Sequence, residues 1–248
     1  NVGTYASRIT AMLAEAPATD KGVFTEHQVD ISLHRLFTAR MKLGEFDRDL
    51  PFTIEAQARI DAYKEANPES DLYWQTPERL VLAEEVATEA VVVLQNSNNL
   101  LPLNISDKAS FKVAIVGEWQ VNTYLGLYSS QQNNLTNHVN IQQGITDALK
   151  SQNENVEFTY ITENNLTDDH IAAIASADVA IVVAGTGHSY SAEDRDRTTI
   201  ALPDNQAELI SQVGRLNANT IVVLETCGPV QVSTFQNDVD AILWSSYG

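Results

Sequence analysis

Cysteine is nearly absent from this chain. Cys227 is the only one, which excludes an internal disulfide without fixing the compartment. Long apolar runs are missing too: the longest, such as residues 179–184 and 90–94, fall far short of the roughly 20 residues a membrane-crossing helix needs. Basic residues are scarce, 15 Lys and Arg against 33 Asp and Glu, for a formal net charge of -18. Such a surface repels phosphate backbones and anionic lipid, so neither nucleic acid nor a membrane is an expected partner, and a neutral ligand fits better.

Chemical motifs are equally sparse. No G-x-S-x-G occurs, so no serine or cysteine sits in a nucleophile elbow. Gly185-Thr-Gly187 opens like a dinucleotide fingerprint, but Tyr190 stands where the third glycine belongs. His27, His34, His138, His170 and His188 are scattered without metal-ligand spacing, so no metal and no cofactor is implied. Cys227 reads as a small buried hydrophobe rather than a nucleophile. Sequons at Asn104, Asn134 and Asn165 matter only in a eukaryotic secretory pathway, and an Asn-rich chain explains them by chance. Localisation stays open between secreted or periplasmic and cytoplasmic, because the chain opens at Asn1 and both ends look cut.

What is present is enough apolar material, 44% of 248 residues, for a sizeable core. Residues 4–16 carry Ile9, Met12 and Leu13 at helical spacing, ending at Pro17. Thr25 and Gln28 make a capping box for a second helix with the stripe Val29, Leu33, Leu36, Phe37, Met41, closed by Gly44. The pattern then loosens, with Pro51 and Pro68, into an expected linker over residues 48–75. Thr76 and Pro77 start a helix expected to carry Ala83, Val86, Ala87, Ala90 and Leu94 on one face, stopping at the turn of residues 96–99. Beyond Leu100, strands alternate with helices. Residues 112–116, 156–161, 179–184, 220–225 and 241–244 read as strands; 141–149, 203–216 and a segment capped by Thr167 read as helices. The fold class is α/β, a doubly wound, mostly parallel sheet sandwiched by helices, and the apolar run 179–184 suits its centre.

In such sheets ligands gather at the carboxyl ends of the strands, here the loops after Val116, Ala184 and Glu225. The loop after Ala184 is the most polar: Gly185-Thr-Gly-His-Ser-Tyr-Ser-Ala-Glu-Asp-Arg-Asp-Arg197. By composition it is a solvated surface loop; its place at a strand's carboxyl end makes it a candidate site.

Several stretches, in order, resemble family 3 glycoside hydrolases. Leu33 to Asp47, ending Leu43-Gly-Glu-Phe-Asp47, resembles the last helix of that family's barrel domain. Ala83 to Asn96 with Asn99-Leu-Leu-Pro-Leu103 resembles the lead into its α/β sandwich domain. Val113-Ala-Ile-Val-Gly117 with Leu125-Gly-Leu-Tyr-Ser129 resembles the first sandwich strand and its loop. Glu193-Asp-Arg-Asp-Arg197 through Pro203, Asn205-Gln206, Gly228-Pro-Val230 and Ala241-Ile-Leu-Trp244 complete the set.

The resemblance implies residues 1–47 as the end of a TIM-like barrel, a linker at 48–75, and an α/β sandwich at 76–248 that stops short of its full length. It implies a retaining, exo-acting β-glycosidase acting on β-glucosides or β-xylosides. In that family the acid/base glutamate lies three residues before an Asp-Arg pair, which places it at Glu193, ahead of Asp196-Arg197. Asp194 is its nearest competitor, and Asp196 with Arg197 is expected to pair as ions and fix the loop. His188 and Tyr190 are candidate substrate-binding residues. The family's nucleophile is a barrel aspartate whose surroundings match nothing here, so the polypeptide alone is expected to be inactive, with the barrel as its partner. The alternatives are a noncatalytic carbohydrate-binding protein and a flavodoxin-like binding module.

Overall fold

The computed structural model describes residues 7, 8, 10, 11, 25–47, 49–68, 76–122, 139–187, 190, 193 and 196–246. The helix expected over residues 4–16 lies mostly outside them. The chain divides into two compact units, residues 1–80 and 81–248.

The first unit is helical. Helix α1 (Glu26–Lys42) begins with the expected capping box: Thr25 accepts from the Gln28 N–H while the Gln28 side chain accepts from the Thr25 N–H. Leu43 caps its other end, and Gly44 follows with φ 73°, a left-handed conformation that a Cβ disfavours. Arg40 lies over the rings of Phe37 and Phe46, 5.8 and 5.2 Å from their centroids, and pairs with Glu45. Residues 51–66, which fall within the expected linker, form helix α2 (Pro51–Ala66). Pro51 occupies the first position, where its missing N–H costs nothing, and Ala56, Gln57, Ala58 and Arg59 favour helix.

Helix α3 (Pro77–Ala90) spans the division between the units and ends earlier than the sequence suggests. Leu94 belongs not to it but to strand β1 (Val92–Asn96). The β-branched run Val91-Val92-Val93 resists helix, and β1 finds an antiparallel partner in the last strand, β6 (Ala241–Ser245).

The other elements follow the expected alternation: β2 (Phe111–Val116), α4 (Ile141–Gln152), β3 (Val156–Ile161), α5 (Asp168–Ser176), β4 (Val179–Gly185), α6 (Gln206–Leu216), β5 (Thr220–Glu225) and then β6. The six strands lie in the order β1-β6-β5-β4-β2-β3, all parallel except β1. This is the mostly parallel α/β sheet that the sequence predicts.

The pleat sends alternate residues to opposite faces. Ala114, Val116, Val182, Val222 and Ile242 pack with Ile174 of α5, Ile210 and Val213 of α6, and Phe235. Val113, Ile115, Ile181, Val183 and Ile221 pack with Leu149 of α4 and Ile105. Every residue of β4 is buried, as its unbroken apolar run requires.

Candidate functional site

The carboxyl ends of β2, β4 and β5 meet in a tight arrangement. After β2 the chain turns at Gly117, with φ 105° and its N–H on the Ile161 carbonyl at 2.8 Å. A Cβ there would lie 2.4 Å from the Val183 carbonyl oxygen, so only glycine lets β2 end this close to β4. The turn places the Trp119 indole against the glycines of β4 and its loop. A Cβ on Gly185 or on Gly187 would lie 2.9 Å from that ring.

Two buried glutamines tie the strand ends together. Gln120, fully buried, donates to the carbonyls of Gly117 (2.9 Å) and Ile161 (2.8 Å). Gln206, the first residue of α6, accepts from the Gly185 N–H at 2.8 Å and donates to the Gly185 carbonyl at 3.0 Å. Thr186, Glu225 and Thr226 are buried beside them, and the Thr186 N–H bonds the Glu225 carbonyl. The Trp244 indole N–H reaches the Thr226 hydroxyl at 2.8 Å.

From this floor rises the polar loop of residues 186–205. Tyr190 bonds its N–H to the Gly187 carbonyl and its hydroxyl to Asp204 Oδ2 at 2.8 Å. That carboxylate holds the Tyr190 phenol above its ordinary range, chiefly by accepting its proton in a hydrogen bond. Asp204 itself is left-handed, with φ 54°. Glu193 is exposed, on the stretch of loop between Tyr190 and Asp196. Tyr190, Asp196, Arg197, Thr198, Leu202 and Pro203 line an open hollow of about 320 Å³.

Arg197 does not pair with Asp196. Its Nη2 donates instead to the Pro229 carbonyl at 2.7 Å, tying the loop to the segment after β5. A backbone carbonyl fixed at that distance holds a guanidinium without the rotamer entropy that an exposed carboxylate partner would lose. His188, the other candidate sugar contact, lies outside the described residues. Cys227, expected to be buried, is exposed: it sits two residues beyond the end of β5, where the chain leaves the core. Among the described residues no three His, Cys, Asp or Glu side chains cluster as a metal site, and no helix is long and apolar enough to cross a membrane.

Sequence reasoning found the loop but missed its floor. Trp119 and Gln120 carry no motif of their own, and Gln206 enters only within the Asn205-Gln206 pair of the resemblance. The one sign was their placement, two just after β2 and one at the start of a helix, at the strand ends where a doubly wound sheet concentrates polar groups.

A doubly wound sheet hosts many unrelated functions, and the sequence profile decides between them. The profile described as glycosyl hydrolase family 3 C-terminal domain matches residues 91–248. The chain belongs to this family. A "probable exo-1,4-beta-xylosidase" of Aspergillus fumigatus is 29% identical over 239 residues, covering 93% of this chain and 28% of that protein. "Beta-D-xylosidase 1" of Arabidopsis thaliana is 30% identical over 236 residues, again 93% and 28%. The chain thus spans less than a third of the length of the curated relatives it matches. A β-glucosidase from Listeria innocua, solved with isofagomine, shares the fold, with a TM-score of 0.65 over 88% of this chain and 28% of that one, at 23% identity.

Proposed function

We propose that this stretch supplies the acid/base carboxylate, Glu193, to a retaining exo-acting β-glycosidase of family 3 whose substrates are β-xylosides or β-glucosides. The observation that carries this reading is positional. In a chain of this family, Glu193 sits on the loop that leaves the carboxyl end of the central strand β4, three residues before Asp196-Arg197. Tyr190 on one side of Glu193 in the chain is bonded to Asp204, and Arg197 on the other to the Pro229 carbonyl. The xylosidase names of the relatives favour β-xylosides within that pair.

The chemistry requires two carboxylates about 5 Å apart. One attacks the anomeric carbon; the other protonates the leaving oxygen and later takes a proton from the attacking water. Glu193 has the second role. That role calls for dry surroundings, and the Glu193 side chain is exposed. Those surroundings, together with the nucleophilic aspartate, are assigned to a barrel domain of the same protein, of which residues 1–47 are the end, with residues 76–248 as the sandwich domain. On this reading the 248 residues alone do not turn over substrate.

The test uses the full-length protein on aryl β-xylosides and β-glucosides. Glu193→Ala is expected to lower turnover by ~10²-fold or more, with recovery by azide, which attacks the glycosyl-enzyme without needing a base. Unchanged turnover in Glu193→Ala would remove Glu193 from the role, and an inactive parent protein would favour a noncatalytic sugar-binding one.

A further inference from the structure

We infer that Gln206 is the positioning residue that sets the path of the Glu193 loop, an inference that rests on the acid/base reading of Glu193. The Thr186 N–H turns toward β5, onto the Glu225 carbonyl. By the alternation of a strand, Gly185 one residue earlier turns its N–H and C=O to the other side, toward β2. There β2 has already ended: its ladder with β4 stops at Val116 and Val182. Gly185 would therefore leave a donor and an acceptor unmet inside the fold, a cost comparable to losing a hydrogen bond at each.

Gln206 meets both. Its primary amide presents one acceptor and one donor in a plane, as a neighbouring peptide group would, at 2.8 and 3.0 Å, with the residue only 2% exposed. Asparagine is one methylene shorter, and glutamate supplies no donor for the carbonyl.

The consequence lies in where the two residues stand. Gly185 is the last residue of β4 and Gln206 the first of α6, so the bonds between them shut residues 186–205 at their base. The space around Gly185 is close-packed. A Cβ would lie 2.7 Å from the Glu225 carbonyl oxygen and 2.9 Å from the Trp119 ring, so the backbone is boxed on its remaining sides. The direction in which the loop leaves the sheet at Gly185 is thus set on its β2 side by the Gln206 side chain. Small displacements of a general acid are costly, on the order of 10²-fold for a shift of about 1 Å.

The experiment is made on the full-length protein with two variants, Gln206→Ala and the volume-conserving Gln206→Met, which fills the space without either hydrogen bond. Each is assayed on aryl β-glycosides of poor and good leaving groups, with and without azide, beside Glu193→Ala. A misplaced acid/base group slows the poor leaving groups by about tenfold more than the good ones, and azide raises the turnover of the good ones. A merely structural residue lowers all rates together and gives azide nothing to restore. The expected result is the leaving-group-dependent loss and azide response in Gln206→Met, of the same kind as in Glu193→Ala but smaller. A uniform loss, or wild-type behaviour, in Gln206→Met while Glu193→Ala shows the full pattern would overturn the role of Gln206. Absence of the pattern in Glu193→Ala itself would overturn the acid/base reading, and this inference with it.

Discussion

The two units of this chain were written with equal care at the level of single helices and end in different states. Helix α1 has a complete capping box, a glycine at its C-terminal stop, Glu26 in its first turn and Arg40 and Lys42 in its last. Yet α1 and α2 hold no buried residue between them, and Leu36, Met41 and Phe52 are all more than half exposed. The α/β unit caps α6 with no side-chain hydrogen bond at all, and buries Gln206, Leu209, Ile210, Ser211 and Val213 on it. Local signals specify where a helix starts and stops; only a matching surface gives it stability.

The largest expected effect separates the units directly. Ile210→Ala, at a fully buried position against the sheet, should cost the α/β unit ~2–5 kcal/mol, whereas Leu36→Ala, 53% exposed, should stay within ~0.5 kcal/mol. Urea unfolding followed by fluorescence, with Trp119 and Trp244 reporting on the sheet, measures both. Equal losses would mean that the units unfold as one.

A second pair of substitutions sharpens the contrast at glycines. A Cβ on Gly214 of α6 would lie 2.1 Å from the Asp238 carbonyl oxygen, so Gly214→Ala should destabilise by ~1–3 kcal/mol although alanine favours helix. At Gly44 the neighbour is the end of a flexible Leu50 side chain. There the loss should be nearer the ~1 kcal/mol of a left-handed backbone, visible in hydrogen exchange of α1 and not in the sheet transition.

The smallest expected effect belongs to the site loop. Because Asp204 raises the Tyr190 phenol above its ordinary value, the bond between them contributes its full stability below pH ~10 and loses it as pH rises through the raised value. The pair is solvent-screened, so the contribution is slight. Difference spectra against Tyr190→Phe should show the phenol titrating late. Asp204→Asn should bring it back toward the ordinary range.

Much of the architecture was legible because it rests on periodicity. The apolar run of β4 and the capping threonines Thr25 and Thr167 stand in the chain as local patterns, and the structure keeps them. Where a segment's state depends on a distant partner, the pattern misled. Leu94 continues the spacing of α3 and still falls within a strand, because β6, almost 150 residues later, pairs with the residues on either side of it. The site divides in the same way. Its polar loop was legible from composition and place. The clamp of Gln206 on Gly185 and the packing of Trp119 on Gly185 and Gly187 were not, since each joins residues brought together only by the finished sheet.

Strand β1 has a further consequence, for self-association. It carries Val92, Val93 and Leu94, all exposed, along one rim of the sheet, where a row of unmet backbone groups would invite a second copy to add a strand. The register of β1 on β6 slips between Val93 and Gln95, and the Gln95 amide is spent on the Gln236 and Val239 carbonyls. That irregularity breaks the even spacing an incoming strand would have to match, so this exposed apolar border of the sheet is also a poor template for aggregation.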